Sequence, residues 1–232
     1  MSQDEIIYYI INVFHYLFLI YSGLVFTSYI LLSAYSRLET IRYFKKNGYV
    51  NYKDILSSEL APSISIIAPA YNESLNIVEN IRSLLSTHYV NYEVIIVNDG
   101  STDDSLEKLI KTYQLEKVDY LVNNRLDTQP LRGGVFKSKN PAFENLIIVD
   151  KENGGKADAL NVGLNISTND YVACIDVDCL LVEDCLQKMI KPFLEYTDAK
   201  VIASGGVIRI ANSCKIENGK LMDVNFPDNL LV

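Results

Sequence analysis

Two patterns divide the chain. From Ile6 to Leu32, 27 residues pass without an Asp, Glu, Lys or Arg. From Pro62 onward, short apolar runs alternate with segments whose apolar positions recur every three or four residues. The first pattern is long enough to cross a bilayer with some tilt. The second is that of parallel strands joined by crossover helices. Together they predict a transmembrane anchor over residues 1–35 and a juxtamembrane connector over 36–60. An α/β domain with a mostly parallel sheet flanked by helices follows over 61–232. The connector is polar from Lys45 to Leu60, where a helix could lie at the membrane surface.

Within the domain, Ile64 to Ala68 reads as the first strand, closed by Pro69. Ile77, Val78, Ile81, Leu84 and Leu85 place a helix over Glu73 to Ser86. Glu93 to Val97 is the second strand, and Leu106, Leu109, Ile110 and Tyr113 mark the next helix, with Ser101 and Asp104 as a capping box. Val118 to Val122 reads as a short third strand. Asn123 to Asn145, with Pro130, Gly133, Gly134 and Pro141, reads as a long loop of the kind usually functional or mobile. Leu146 to Val149 is a strand, Gly155 to Asn165 a helix, and Tyr171 to Ile175 a strand running into Asp176 and Asp178. Leu186, Met189, Ile190, Phe193 and Leu194 give the last helix, which Pro192 should kink. Val201 to Ile210 resembles strand material broken at Gly205-Gly206, and the tail after Ala211 has no clear period.

Charge and composition narrow the partners. The formal net charge of -8 argues against nucleic acid. Arg37, Arg42, Lys45 and Lys46 follow the apolar run, whereas Asp4 and Glu5 precede it. The positive-inside rule then predicts a single-pass cell-membrane protein with its C-terminal portion in the cytoplasm. The same charge order argues against a cleaved signal peptide. Asn12 and His15 interrupt the run and read as hydrogen-bonding groups facing a neighbouring helix. Cys174, Cys179, Cys185 and Cys214 form no C-x-x-C pair, which predicts reduced, mostly buried thiols. His15 and His88 are the only histidines, so His-based zinc or Ser-His-Asp chemistry has little material.

Four stretches fall where strands end, the edge at which an α/β sheet collects its ligands. Pro69-Ala70-Tyr71-Asn72-Glu73 reads either as a turn with Asn72 capping a helix or as a binding loop. Val97 to Asp103 holds a turn signal at Asp99-Gly100, and Asp99 is also placed to accept hydrogen bonds from a base or ribose. In Lys151 to Asn161, Gly154-Gly155 permits close backbone approach, and Lys156 sits in a first helical turn, where a cation opposes the helix dipole unless an anion is bound. The spacing of a P-loop is absent. Asp176-Val177-Asp178 either caps the following helix or converges on a hard cation. A diphosphate partner, a base or ribose partner and a metal site in one chain point to a nucleotide-diphosphate ligand.

These stretches, in this order from about Pro62 to Ala211, closely resemble the family 2 glycosyltransferases. The likeness is nearest to the membrane-bound synthases of the poly-N-acetylglucosamine, hyaluronan and cellulose type. The resemblance implies a GT-A (Rossmann-like) fold, a nucleotide-sugar donor that is most often UDP-linked, and inversion at the anomeric carbon. It implies that Tyr71, Glu73 and Asp99 hold base and ribose, with Pro69 and Ala70 among the substrate-binding residues and Lys156 near the diphosphate. It further implies that Asp176 contacts the donor and that Asp178, with Asp176, binds Mg²⁺ or Mn²⁺. The acceptor is then a growing polysaccharide or a lipid-linked sugar at the cytoplasmic membrane face.

The sequence departs from those synthases on the acceptor side. The family's Gln-x-x-Arg-Trp motif is excluded because the chain has no Trp, and no later Glu-Asp motif supplies a general base. Asp223 and Asp228 lie in the unpatterned tail without that context, so the catalytic base is unassigned. The chain therefore reads as the donor-binding half of such an enzyme. The alternative is a non-catalytic nucleotide-sugar-binding membrane subunit whose partner chain supplies the acceptor-side motifs.

Overall fold

In the computed structural model, residues 3–47, 61–194, 200–208, 214–217 and 220–223 are described. They fall into two units, one within Met1–Asn51 and one within Tyr52–Val232. The first is a single helix, α1 (Gln3–Asn47), which continues past the expected boundary at residue 35. At about 1.5 Å per residue, its 45 residues extend well beyond the ~30 Å of a bilayer's hydrocarbon core. Residues 3–42 are long and apolar enough to cross a membrane, and side chains such as Phe14, Leu19 and Leu31 are exposed. Asn12 has a partner within α1. Its amide donates to the Tyr8 carbonyl one turn back, at 2.9 Å. Residues 48–60 of the expected connector lie outside the described residues.

The second unit is built on a six-stranded sheet. Its strands are β1 (Ile64–Ala70), β2 (Tyr92–Asp99), β3 (Leu115–Val118), β4 (Leu131–Ser138), β5 (Leu146–Lys151) and β6 (Tyr171–Cys174), in the order β3-β4-β5-β2-β1-β6. The four strands β5, β2, β1 and β6 pair in parallel, as the apolar runs predicted. Strands β3 and β4 add antiparallel pairings at one side. Helices α2 (Ile77–Leu85), α3 (Ser105–Tyr113) and α5 (Cys185–Leu194) cover one face, and α4 (Lys156–Ile166) covers the other.

Strand alternation explains both faces. Ile64, Ile66 and Ala68 of β1, Val94 and Ile96 of β2, and Leu146 and Ile148 of β5 meet Ile81 and Leu84 of α2 and Leu109 of α3. Ile67, Ile95, Val97, Ile147 and Val149 meet Ala159, Val162 and Ile166 of α4. Burial of these side chains stabilises the domain at roughly 25 cal/mol per Å² of apolar surface. Tyr113 pins α3 to its neighbours, packing edge-on against Phe143 at 5.0 Å while its hydroxyl donates to the Val78 carbonyl of α2 at 2.9 Å.

Four expectations require correction. The long loop over Asn123–Asn145 contains strand β4, and the third strand lies over Leu115–Val118 rather than Val118–Val122. Gly133 and Gly134 read as loop residues, but a Cβ on Gly133 would lie 2.5 Å from Asp150 Oδ2, so the glycine marks close packing within a strand. Residues 200–208 form no strand, and Ile202, Val207 and Ile208 are exposed. β-Rich sequence without a ladder partner leaves its backbone unpaired, and none of the described strands pairs with this segment. Residues 209 and 210 lie outside the described residues. Finally, the cysteines are free but not mostly buried: Cys174 is exposed and the other three are half-buried.

Replacing Tyr113 with Phe keeps the ring contact and removes the hydroxyl donor to Val78. We expect a loss of about 1 kcal/mol of domain stability in denaturant unfolding of the detergent-solubilised chain.

Candidate functional site

From β1 the chain moves to β2 and on to the edge strand β3, comes back through β4 to β5, and crosses to the opposite side of β1 to form β6. The reversal makes the carboxyl ends of β1 and β6 a topological switch point, where open α/β sheets leave a crevice. Four loops meet along this edge: residues 71–76 after β1, 100–104 after β2, 152–155 after β5 and 175–179 after β6.

The loops are tied to one another by side-chain oxygens that accept backbone amides. Asn72, in left-handed conformation at φ 55°, does not cap a helix. Its amide N donates to Ser101 Oγ at 3.0 Å, and its Oδ1 accepts Thr102 N at 2.8 Å. Ser101 therefore serves the first loop and forms no capping box. Asp103 Oδ2 accepts Ser74 N at 3.0 Å, while its Oδ1 accepts the amide and hydroxyl of Ser105 at the start of α3. Lys108 of α3 donates to the Ser74 carbonyl at 3.0 Å. This seam places Tyr71, half exposed, and Glu73, half-buried, beside the second loop. Pro69 is half-buried and Ala70 buried at the end of β1.

Asp99 ties the second loop to the third. Its carboxylate is buried, with Oδ1 accepting Gly154 N at 3.0 Å and Oδ2 accepting Gly155 N at 2.8 Å. Its carbonyl accepts Asn153 Nδ2 at 2.8 Å. At Gly100, φ is +68° and a Cβ would lie 2.6 Å from Asn153 N, so both conformation and space require glycine. Lys151 Nζ, fully buried, lies 2.6 Å from Asp99 Oδ1 and 2.6 Å from Asp158 Oδ2. Burial pushes the Lys151 ammonium down, but hydrogen bonds to Asp158 and Asp99 outweigh it and hold its pKa above the ordinary lysine value. On the opposite face of the sheet, Asn98 Nδ2 donates to Asp150 Oδ1 at 2.7 Å, and Arg132 grips both Asp150 oxygens at 3.0 and 3.1 Å.

The fourth loop presents Asp176 and Asp178. Val177 turns into the core, both flanking carboxylates are exposed, and Cys179 N donates to the Asp176 carbonyl at 3.0 Å to close the turn. Lys156, in the first turn of α4, forms an ion pair with Asp176, whose carboxylate holds the lysine above its ordinary pKa. Burial, then Asp178 and Asp176, push the Cys179 thiol up, which keeps it protonated beside the carboxylates. Among the described residues no three His, Cys, Asp or Glu side chains form a metal cage. Two carboxylates on one turn nonetheless fit a hard cation that takes its remaining oxygens from a phosphate ligand and water, as Mg²⁺ commonly does.

The structure thus gathers Tyr71, Glu73, Asp176 and Asp178 on loops at this edge, with Asp99 at the end of β2 and Lys156 at the start of α4. Sequence reasoning missed Lys151, Asp158 and the Asn98-Asp150-Arg132 group. Their signal was present, because apolar β5 ends in Asp150-Lys151, two charges with no turn residue between them and the strand. A cleft of about 450 Å³, lined by residues including Val122, Gln129 and Asn165, lies apart from Tyr71 and Asp176.

The family model for glycosyl transferase family 2 matches residues 65–128 and 137–213. The chain belongs to glycosyltransferase family 2. Among curated relatives, a poly-beta-1,6-N-acetyl-D-glucosamine synthase of Staphylococcus aureus (strain COL) is 30% identical over 76% of this chain and 36% of its own length. The synthase of the same name from Staphylococcus epidermidis is 31% identical over 85% of this chain and 41% of its own. The chain therefore spans well under half the length of these relatives. Solved structures with a similar fold include a mannosyltransferase from Pyrobaculum calidifontis in complex with GDP-Man and Mn²⁺, at TM-score 0.44 and 23% identity over 72% of this chain and 43% of that one. Another is S. aureus TarS 1-349 in complex with UDP-GlcNAc, at TM-score 0.39 and 24% identity over 57% and 31%.

Burial pushes the Asp103 carboxyl up, but hydrogen bonds from Ser105 and Ser74 outweigh it and hold it below the ordinary 3.8. Its contribution is then full above pH 3.8 and lost as pH falls through the lower folded value. Unfolding curves across that acid range should be steeper in pH for the wild type than for Asp103→Asn. Parallel curves would contradict the assignment.

Proposed function

We propose that this chain carries the donor site of an inverting glycosyltransferase, which passes a sugar from a UDP-linked donor to a growing polysaccharide or a lipid-linked acceptor. The observation that carries this reading is the convergence of Tyr71, Glu73, Lys156, Asp176 and Asp178 at the switch point of the sheet. Pro69, Ala70, Tyr71 and Glu73 line the nucleoside end, with Asp99 beside them at the end of β2. Lys156 and the N-terminal end of α4 face the diphosphate, because cations and helix N-termini favour anions. Asp178 and Asp176 hold Mg²⁺ or Mn²⁺. When bound, that ion offsets the negative charge that the departing diphosphate gains as the glycosidic bond breaks.

The Lys156–Asp176 pair suits this role because its side chains are 63% and 52% exposed. An exposed pair is held weakly, so Asp176 exchanges the ammonium for donor and cation while Lys156 turns to the phosphates. The acceptor hydroxyl needs a general base, and none is assigned here. Asp223 ends the short strand β8 (Lys220–Asp223), paired with β7 (Lys215–Glu217), and Asp228 lies outside the described residues. A nucleotide-sugar-binding subunit completed by a partner chain is the second reading. With α1 crossing the cell membrane once and basic residues on its C-terminal side, we place the domain over 61–232 in the cytoplasm.

Calorimetry on the detergent-solubilised chain tests the donor and metal assignments together. UDP should bind with Mg²⁺ or Mn²⁺ and only weakly after chelation, and Asp178→Ala should lose on the order of tenfold in affinity. Equal UDP binding with and without the ion would remove the metal from this site.

A further inference from the structure

The connection from β3 to β4, residues 119–130, carries no regular element, yet it is fixed along α4 at two points. Asn165, 2% exposed, accepts Arg125 N at 3.1 Å and Leu126 N at 3.0 Å through Oδ1. Its Nδ2 donates to the Leu126 carbonyl at 2.8 Å, and its own carbonyl accepts Asn123 N at 2.9 Å. About two turns back along the helix, Asp158 Oδ1 accepts Gln129 N at 3.1 Å, and the Pro130 carbonyl accepts Glu152 N at 3.0 Å. Between the two points lies the cleft of about 450 Å³, within the ~300–1,000 Å³ of small-molecule sites. Residues 129–136 fall between the two stretches that the family model matches, so part of its wall lies outside the family pattern.

The lining decides what fits. It holds neither Lys nor Arg, and it includes the Asp127 carboxylate. Its part of α4, Val162 and Asn165, belongs to the C-terminal half of the helix, where the dipole disfavours anions. A phosphate or another anion is poorly served there. An apolar ligand is excluded for the opposite reason, because the side chains of Asn124, Asp127, Thr128 and Gln129 would lose water without gaining partners. Among the described residues, none of these four side chains forms a hydrogen bond or an ion pair. Together they offer amide, hydroxyl and carboxylate groups, both donors and acceptors. Val122, Leu126 and Val162 add apolar surface. A ligand of hydroxyl-rich rings with apolar C–H faces satisfies both kinds of lining.

We infer that this cleft is a second ligand site, for a neutral oligosaccharide, distinct from the donor site. A ring face lies on Val122, Leu126 and Val162, and the hydroxyls meet the four polar side chains. Asn165 is a positioning residue, because its side-chain amide is committed to the loop. Gln129 brings the cleft against the loop after β5: a Cβ on Gly154 would lie 2.9 Å from Gln129 Cγ. The cleft therefore borders the loop that leads into α4. Resting on the donor-site reading for its place in the reaction, the site retains the acceptor or product chain near the point of transfer.

Calorimetry on the full chain, in a detergent without a sugar headgroup and with no nucleotide present, tests this. Cellotetraose and chitotetraose, both neutral, should bind, and a hyaluronan tetrasaccharide, which carries carboxylates, should bind more weakly. Asn124→Ala with Asp127→Ala changes two exposed positions. That double variant should weaken the neutral oligosaccharides on the order of tenfold and leave UDP binding with Mn²⁺ unchanged. Asn165→Ala releases the loop and should weaken them as well, with UDP binding as the check that the domain is folded. Hydrogen exchange should slow on addition of the neutral oligosaccharide within residues 122–131 and not within 69–73. No binding of either neutral oligosaccharide, binding that the double variant leaves unaltered, stronger binding of the anionic one, or displacement by UDP would each overturn the inference. Failure of the donor-site reading is a separate result. A wild type that binds cellotetraose or chitotetraose but no UDP keeps the saccharide site and removes only its place in the reaction.

Discussion

Loops at the carboxyl ends of parallel strands carry backbone amides that have left the sheet ladder and must find acceptors elsewhere. In this protein the acceptors are side-chain oxygens of the adjoining loop. Ser101 and Asp103 serve the loop after β1, Asn72 serves the loop after β2, and Asp99 serves the loop after β5. The loops after β1, β2 and β5 are therefore held by one another, whereas the loop after β6 closes its own turn through Cys179 N and the Asp176 carbonyl. The consequence for function is rigidity where a ligand must be oriented. The exposed side chains Tyr71, Lys156, Asp176 and Asp178 project from backbones that are already tied down.

The alternation of the strands decides which charges go where. Apolar pairs continue along β2 and β5 until the last two register steps, Asn98 with Asp150 and Asp99 with Lys151. Those steps send one polar group to each face. Asn98, Asp150 and Arg132 meet on the face of α3, and Asp99, Lys151 and Asp158 meet on the face of α4. The same strand geometry that builds the core thus delivers two buried polar clusters to the ligand edge of the sheet.

Much of this was legible in the sequence. The parallel strands, their crossover helices and the four loops could be read because apolar periodicity and turn chemistry are local signals. The resemblance to family 2 glycosyltransferases rested on those loops and is confirmed by the family model. Strand β4 was not legible, because Gly133 and Gly134 imitate loop residues and their reasons, the Asp150 carboxylate against Gly133 and the Lys117 side chain against Gly134, lie far away in sequence. Ser101 was misread as part of a capping box, and the cap reading of Asn72 could not be told from the loop reading, for a related cause: a side-chain oxygen with an unpaired amide nearby caps a helix in one context and latches two loops in another. Only tertiary neighbours distinguish the two.

The central claim is that the three latched loops and the turn after β6 hold a nucleotide diphosphate with its base against Tyr71 and its phosphates toward Lys156 and Asp178. Photolabelling with 5-azido-UDP in the presence of Mn²⁺, followed by peptide mapping, tests it most directly. The account predicts label on the segment from Pro69 to Glu73, competed by unmodified UDP. Label concentrated on residues 122–131, which border the separate cleft beside α4, would contradict it.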